Sequence, residues 1–323
     1  MTFTPRSLFA AAALVAFGAH AQVKWDLPSG YPASNFHTVT LNEFAADVDK
    51  ATAGKLKITV HAGASLFKAN EIKRAVQGGQ AQIGEVLLAN LANEWPIYAA
   101  DGLPFLADSY DAATKLYRAQ KPLIEKKLGE QGLVLLYSVP WPPQGLFSKR
   151  AVNSAADLKS IKWRAYSPAT ARIGELVGAQ PVTVQAAEVS QALATGVVES
   201  FMTSGSTGVD SKVFEHLKFY YDTQAWLPKN AVIVNKAAFD ALDAPSKAAL
   251  LKAASDAEAR GLVASQRTNT ESKDKLKAAG MQILPPPPAL AADMKKVGDT
   301  MLKEWLEKAG PEGKQVIDAF NAK

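Results

Sequence analysis

The sequence predicts an α/β protein with two lobes, and three observations support that prediction. Segments patterned as strands alternate with segments patterned as helices along most of the chain, which is typical of mainly parallel sheets flanked by helices. The chain has 323 residues, which is enough for two cores of ordinary size. A helical stretch from about Pro245 to Ala279 is long enough to return over the body of the protein. We therefore expect the chain to cross between its lobes more than once.

The N-terminus has the pattern of an export signal. Arg6 is followed by an apolar run from Leu8 to Gly18 and then by AHAQ, which offers a small-residue cleavage site after Ala21. The run is too short to span a bilayer, and no later segment approaches about 18 uninterrupted apolar residues. We expect a cleaved signal peptide over residues 1–21 and a soluble periplasmic protein, rather than an uncleaved membrane anchor.

Composition excludes several classes of function. The chain has no cysteine, so a hydrophobic core must supply the stability, and thiol nucleophiles and cysteine-bound zinc are absent. The formal charge is +5, and no block of five or six basic residues occurs. A nucleic-acid partner is therefore not expected, whereas a mild positive balance suits an acidic small ligand.

The first half of the chain alternates short strands with helices. Its predicted strands are Lys24–Leu27, Lys55–Ala62, AQIGEVLL and GLVLLYSV. Its predicted helices run from about Asn35 to Thr52, through NEIKRAVQGG and over Asp111–Lys127. The first of these is stopped by Gly54 and the second ends at a glycine pair, as helices commonly do.

The second half continues this alternation. Ser154 and Asp157 form a capping box ahead of the strand in IKWRAYSP, and Pro168 begins a helix that ends at Gly178. PVTV and VVESFM are strands on either side of the helix AAEVSQALATG, and a strand over Asn230–Asn235 precedes the long helix. MQIL is a strand, PPPP is a stiff connector, and terminal helices follow.

The sequence lacks the common motifs of enzymes. No phosphate-binding loop occurs, and neither serine of SGSTG has the two flanking glycines of a nucleophile elbow. His37, His61 and His216 are far apart without metal-ligand spacing, so we expect surface or structural histidines and neither a metal nor a cofactor. A hydrolase that uses the loop from Ser204 to Ser206 stays as an alternative from another class.

Polar and aromatic side chains cluster where predicted strands end. YSVPWPPQGLFSK holds Trp141 and Gln144 in a proline-fixed turn, which is otherwise a structural corner with tryptophan as a lid on the core. ESFMTSGSTG leaves a strand into a hydroxyl-rich loop, and YYDTQAWLPKN places Trp226 and Asn230 at another connection. In open α/β sheets ligands bind outside the carboxyl ends of strands, so these segments are the candidate site.

The stretch IKWRAYSP places Arg164 and Tyr166 on one face of a strand, close to its end. From the pattern alone, Arg164 is either a solvated charge beside an aromatic ring or a group that binds an anion.

The surrounding residues resemble a known family. LKSIKWRAYSPATARIGELVGAQPVTVQAAEVSQALATGVVES is similar to the central signature of the periplasmic substrate-binding proteins of TRAP (tripartite ATP-independent periplasmic) transporters. That signature is a K-x-R strand, a helix, a G-A-x-P-v turn, an E-V helix and then t-G-v-V-D-G. GKLKITVHAGASLFKANEIKRAVQGGQAQIG resembles the N-terminal lobe of the family, and the similarity covers nearly the whole mature chain.

The resemblance implies the periplasmic binding protein fold, with two α/β lobes joined by a hinge and a long helix across both. Residues 22–145 are then mainly the N-terminal lobe, 146–235 mainly the C-terminal lobe, and 236–323 the long helix and terminal segments. The implied function is capture of an organic acid by hinge closure and its delivery to the small and large membrane permease subunits. The arginine of the K-x-R strand, here Arg164, is implied to form a salt bridge with the ligand carboxylate.

Two positions depart from the family pattern. Thr203 stands where many members have a ligand-contacting asparagine, and Gln144 stands where many have a second arginine. Fewer cationic contacts beside several aromatic residues suit a bulkier monocarboxylate, so the hypothesis is an aromatic or branched 2-oxo or 2-hydroxy acid such as benzoylformate or mandelate. A C4-dicarboxylate is the nearest alternative, and a subunit that presents a ligand to a sensor is a further one.

The remaining site residues follow from this hypothesis. Ser204 and Asn230 join Gln144 and Thr203 near the 2-position oxygen, and the opposite lobe contributes Glu85, which alternatively neutralises the arginine when the cleft is empty. Asn90 follows the same strand as Glu85 and is expected to line that lobe. The rings expected to pack against the ligand are those of Trp141, Tyr166, Phe201 and Trp226.

Overall fold

The computed structural model describes residues 22–322, so the predicted signal peptide over residues 1–21 lies outside the described residues. Eleven strands and nine α-helices occur in the described range. The strands are β1 Val23–Pro28, β2 Leu56–His61, β3 Ile83–Leu87, β4 Leu133–Pro140, β5 Gln144–Ser148, β6 Lys162–Ala165, β7 Gln180–Thr183, β8 Ser200–Ser204, β9 Phe219–Tyr221, β10 Lys229–Asn235 and β11 Gln282–Leu284. The helices are α1 Phe36–Ala51, α2 Ile72–Gln77, α3 Tyr110–Glu130, α4 Pro168–Leu176, α5 Val189–Ala194, α6 Gly205–Asp210, α7 Lys236–Asp240, α8 Ala244–Ala278 and α9 Pro288–Asn321.

The strands form two groups that face each other. In the first, β1 pairs with β2, and β10 lies between β3 and β4. The second is a six-stranded sheet in the order β11, β9, β5, β8, β6, β7. We propose these two groups as the cores of the two lobes. β10 falls within the range 146–235 expected to be mainly C-terminal lobe, but it pairs with strands of the first group.

The α/β alternation is as predicted, but the strands are less parallel than expected. β10 runs antiparallel to β3 and β4, and β5 runs antiparallel to β8 and β9. The physical reason is connectivity, because each of these strands enters its sheet from the other one. The chain crosses first through Trp141, Pro142 and Pro143, and it returns through residues 222–228.

Long C-terminal helices join the two groups. α8 packs against α1 and β4 on one side and against α6 and β11 on the other. Asp243 caps its first turn by accepting a hydrogen bond from the backbone N–H of Ser246. Gly261 allows α8 to approach β4, since a Cβ atom there would lie 2.4 Å from the side chain of Val139. α9 likewise contacts α3 and α4. No helix in the described part of the chain is both long and apolar enough to cross a membrane.

Two local predictions need correction. The segment after β8, expected to be a hydroxyl-rich loop, is the first turn of α6, because the Ser204 side chain caps it by accepting from the backbone N–H of Thr207. The helix expected over AAEVSQALATG is shorter, since Ala186–Glu188 forms a 3-10 turn before α5 begins at Val189.

Candidate functional site

A cavity of about 40 Å³ lies between the two groups of strands, next to the carboxyl ends of β3, β6 and β8. Both lobes and both crossing segments contribute to its walls. Its lining residues are Tyr31, Ala69, Leu87, Asn90, Trp141, Gln144, Arg164, Tyr166, Gln185, Ala186, Thr203, Thr207 and Pro228. A larger groove of about 590 Å³ lies outside, between α1, α6 and α8. We place the site in the smaller cavity because it contains a buried cation without a partner for all of its donors.

Arg164 is that cation. It lies at the end of β6, where the parallel neighbours β7 and β8 hold the strand, and its side chain is 2% exposed. Nε donates to the backbone carbonyl of Val184 at 3.0 Å, which fixes the direction of the guanidinium. Nη1 is buried and has no hydrogen-bond partner in the described part of the chain. A buried donor without an acceptor is costly, so Nη1 is available to donate a hydrogen bond to an acceptor on a ligand.

The electrostatics of Arg164 favour an anion. Burial lowers its pKa to about 10, while Tyr166 and Tyr31 act in the opposite direction, so the guanidinium stays charged at neutral pH. The carbon of the guanidinium lies 5.2 Å from the ring centre of Tyr166 and 5.7 Å from that of Phe201, distances suited to cation–π contact. Arg164 forms no ion pair with any of residues 22–322, which leaves its charge available to a carboxylate.

Gln144, Tyr166 and Thr203 form the rest of the second-lobe wall. Gln144 begins β5, and its side chain donates to the carbonyl of Pro142 at 2.8 Å. The Tyr166 hydroxyl donates to Gln144 Oε1 at 3.1 Å. Thr203 lies on β8, opposite Gly145 of β5. All three line the cavity, where the sequence expects them.

Trp141 closes the cavity at the first crossing segment. Its backbone N–H donates to the carbonyl of Pro228 at 2.8 Å, which ties the two crossing segments together. Its indole N–H donates to Asn230 Oδ1 at 2.9 Å, and the Tyr31 hydroxyl donates to the same oxygen at 3.3 Å. Asn230 itself is not among the lining residues. It lies behind the wall and positions the two rings that face the cavity.

Glu85 lies deeper in the first lobe than the sequence suggests. Its carboxylate accepts from the Ser29 hydroxyl at 2.6 Å, and its other oxygen is 3.4 Å from His37 Nδ1. It does not pair with Arg164 in this structure. Burial raises the pKa of Glu85 to about 7, while hydrogen bonds from Ser29 and Asn230 act in the opposite direction. His37 is buried against Trp141, at 4.3 Å between ring centres, and burial lowers its pKa well below the usual value, which fits a structural histidine.

Asn90 supplies the other unpartnered atom of the wall. It lies in a 3-10 turn over Leu88–Leu91, directly after β3, and faces the cavity. Its Oδ1 is buried without a hydrogen-bond partner among residues 22–322. The cavity therefore carries one cationic donor on the second lobe and one neutral acceptor on the first.

Besides Asn230 and Glu85, three more expected site residues do not line the cavity. Trp226 is buried in the core, and its backbone carbonyl accepts from the Gln144 N–H at 2.9 Å. Phe201 lies beneath Arg164 and packs on Phe147. Ser204 caps α6. Each supports a lining residue from behind.

The sequence misses Tyr31 and Thr207, which both line the cavity. Tyr31 follows β1 at its carboxyl end, so the strand-end rule that marked the other segments applies to it as well. Thr207 belongs to the quoted segment ESFMTSGSTG, but it becomes visible as a wall residue only when that segment is recognised as a helix.

Comparison with known proteins decides the family. Residues 30–309 match the family described as bacterial extracellular solute-binding protein, family 7, DctP. The chain belongs to this family. As a DctP-family protein it is a TRAP solute-binding receptor and not an enzyme, which removes the hydrolase alternative at Ser204 and Ser206.

Solved structures of DctP-family relatives share the fold closely. A receptor from Bordetella pertussis, DctP6, which binds pyroglutamic acid, is 59% identical, with a TM-score of 0.92 over 93% of this chain and 100% of its own. A marine metagenome TRAP protein specific for pyroglutamate is 46% identical, with a TM-score of 0.91 over 93% of this chain and 98% of its own. DctP7 from Bordetella pertussis, which also binds pyroglutamic acid, is 43% identical, with a TM-score of 0.92 over 93% and 100%. These matches confirm the two-lobed periplasmic binding protein fold with long C-terminal helices, and this protein is an extracytoplasmic solute receptor.

Proposed function

We propose that the protein binds pyroglutamate, or a closely similar cyclic amide acid, in the cavity between its lobes. One observation carries the proposal: the two buried unpartnered atoms among the lining residues are Arg164 Nη1, a cationic donor, and Asn90 Oδ1, a neutral acceptor. Pyroglutamate offers a carboxylate and a ring N–H, which satisfy such a pair.

The carboxylate belongs at Arg164. A planar guanidinium holds a carboxylate through parallel charge-assisted hydrogen bonds, which a lysine cannot reproduce. Because Nε is already committed to Val184, the carboxylate oxygen is directed to Nη1. Exclusion of water from the closed cleft strengthens the pairing.

The ring N–H belongs at Asn90. Asn90 Oδ1 is a buried acceptor without a partner in the described part of the chain, and the ring N–H is the one donor of the pyroglutamate anion. The rings of Tyr31, Trp141 and Tyr166 supply the apolar faces. The ligand of the 59%, 46% and 43% identical receptors supports this choice.

The alternatives from the sequence fit the wall less well. Benzoylformate carries neither an N–H nor an O–H donor, so it leaves Asn90 Oδ1 unsatisfied, at a cost of about 1–3 kcal/mol. Mandelate can donate its hydroxyl to that oxygen, so it differs from pyroglutamate mainly in its larger, six-membered ring. A C4-dicarboxylate brings two charges, but Arg164 is the one cation among the described lining residues. We infer that the bound acid is released to the small and large membrane subunits of a TRAP transporter when the cleft opens.

Isothermal titration tests this with five acids: pyroglutamate, mandelate, benzoylformate, succinate and the lactone of 2-hydroxyglutarate. That lactone has the pyroglutamate ring with oxygen in place of the N–H. We expect pyroglutamate to bind most tightly and the lactone to bind about 10-fold or more weakly, since it lacks the donor for Asn90. Tighter binding of mandelate or succinate than of pyroglutamate would contradict the proposal.

A further inference from the structure

One side-chain hydrogen bond crosses between the lobes beside the cavity. Asn35 Nδ2 donates to Asp210 Oδ2 at 2.6 Å. Asn35 immediately precedes α1, which packs on β2 of the first group of strands, and Asp210 is the last residue of α6, which follows β8 of the second sheet. In the described part of the chain, no other side-chain hydrogen bond joins α1 or its N-cap to α6.

This bond borders a space that continues from the ligand cavity. An outer chamber of about 200 Å³ shares Tyr31, Trp141, Ala186 and Thr207 with the cavity. Asn35 and Asp210 also line the outer chamber, together with polar Ser190 and Ser211. A ligand that leaves the cavity through this chamber therefore passes the Asn35–Asp210 pair.

Asn35 is fixed by its own lobe. Its Oδ1 accepts from the backbone N–H of His37 at 2.9 Å and so caps α1. With the oxygen committed to the cap, the amide N–H₂ is directed away from α1 and toward Asp210. The residue is 1% exposed, so its amide has little freedom to turn.

Asp210 is fixed by the opposite lobe. α6 lies very close to β5, because a Cβ atom at Gly208 would be 2.5 Å from the Phe147 ring. α6 also lies against α8, where a Cβ atom at Gly205 would be 3.1 Å from Ser272. The two glycines therefore allow α6 to pack closely against β5 and α8. Because α6 is held in this way, a separation of the lobes has to move Asp210 away from Asn35.

We propose that the Asn35–Asp210 hydrogen bond is a gate that sets how fast the bound acid leaves. The two residues are positioning residues, because they bond to each other across the outer chamber and lie outside the inner cavity. This charge-assisted bond, between a buried Asn35 and a half-buried Asp210, stabilises the closed arrangement and disappears on opening. Its loss accelerates release, while the encounter with ligand, which occurs in the open form, is little changed.

An isosteric exchange isolates this bond from the helix cap. Asn35→Asp keeps a side-chain oxygen for the cap, since aspartate caps helices as well as asparagine, but it sets two carboxylates against each other. Adding Asp210→Asn restores a donor and an acceptor in reversed order. Neither change adds or removes a heavy atom, so packing at both positions is preserved.

Release is measured by stopped-flow at pH 8 through the tryptophan fluorescence of the chain, to which Trp141 in the cavity wall contributes, with pyroglutamate as the ligand. We expect Asn35→Asp to raise the dissociation rate constant about 10-fold or more and to change the association rate constant less than about 3-fold. The double exchange should return the dissociation rate to within about 3-fold of wild type. A wild-type release rate for Asn35→Asp, or a double exchange that stays fast, would overturn the gate.

A second measurement needs no ligand, so it separates the gate from the proposed function on which the kinetic assay rests. The chain has no cysteine, and Val23→Cys with Val197→Cys places one spin label on an exposed site of each lobe. We expect Asn35→Asp to lengthen the distances between the labels and the double exchange to shorten them again. Failure of pyroglutamate to bind would refute the ligand proposal alone, whereas identical distances in all three chains would refute the gate.

Discussion

The two walls of the cavity differ in how they handle charge. The second-lobe wall turns a buried arginine, Arg164, toward the ligand with one donor unpartnered. The first lobe also contains a buried charge-bearing group, Glu85, but seals it behind Tyr31 and Trp141 with bonds to its own residues. Under the proposed function, this difference assigns the ligand's carboxylate to the second lobe and leaves neutral groups of the first lobe to distinguish one small acid from another.

Under the proposed function, the same comparison gives a ligand a physical reason to favour the closed cleft. A buried guanidinium without an anion is unfavourable, and a carboxylate removes that cost only where Nη1 is within reach. The acceptor Asn90 lies on the other lobe, so one ligand satisfies both lobes only when they are together.

The largest expected effect comes from replacing the guanidinium of the second-lobe wall. Arg164→Lys should weaken pyroglutamate binding about 100-fold or more, because a single ammonium nitrogen cannot reproduce the planar pair of donors of a guanidinium that Val184 holds in place. Isothermal titration measures the loss. Arg172→Lys is the matched control, since Arg172 lies outside the cavity in ion pairs with Glu175 and Glu304. If the two variants bound pyroglutamate with equal affinity, the proposed contact between Arg164 and the ligand would be refuted.

A smaller effect is expected from the first-lobe wall. Asn90→Ala should weaken pyroglutamate binding about 10-fold and leave binding of the lactone within about 2-fold, because only pyroglutamate donates to Oδ1. The exposed Asn93→Ala serves as control and should change neither. If Asn90→Ala weakened both ligands equally, the residue would shape the wall without recognising the N–H.

The smallest effect concerns the sealed carboxyl and appears in stability. Burial raises the pKa of Glu85 to about 7 from an ordinary value near 4.5, so the folded chain holds this proton longer than the unfolded chain. The contribution of Glu85 to the free energy of unfolding is therefore fully present below about pH 4.5 and is lost as pH rises through 7. His37, whose pKa burial lowers, stays neutral across that window.

The substitution Glu85→Gln removes this loss of folding stability with rising pH. Urea unfolding at pH 5 and pH 8 should show the wild type losing about 1–3 kcal/mol more than the variant between the two conditions. Glu130→Gln, at an exposed position near the end of α3, should behave as wild type at both pH values. The assignment fails if Glu85→Gln shows the wild-type difference.

Much of the second-lobe wall was predictable, and much of the first was not. Arg164, Gln144, Tyr166 and Thr203 lie in or next to segments with a family signature, so their places follow from the motif. Periodicity cannot tell a ring that faces a cavity from one that faces the core, so it does not show that Trp226, expected to pack against the ligand, lies in the core.

The other omissions arise from contacts between distant parts of the chain. Asn35 and Asp210 are 175 residues apart, and neither belongs to a motif. The pairing of β10 with β3 and β4 depends on the second crossing between lobes, and local patterns carry no information about which sheet a strand joins.

A crystal structure of the complex with pyroglutamate tests the central claim most directly. We expect one carboxylate oxygen within about 3 Å of Arg164 Nη1 and the ring nitrogen within about 3 Å of Asn90 Oδ1. A ligand turned so that its carboxylate meets the first lobe, or its ring nitrogen meets neither Asn90 nor any other acceptor of that lobe, would contradict the division between the two walls.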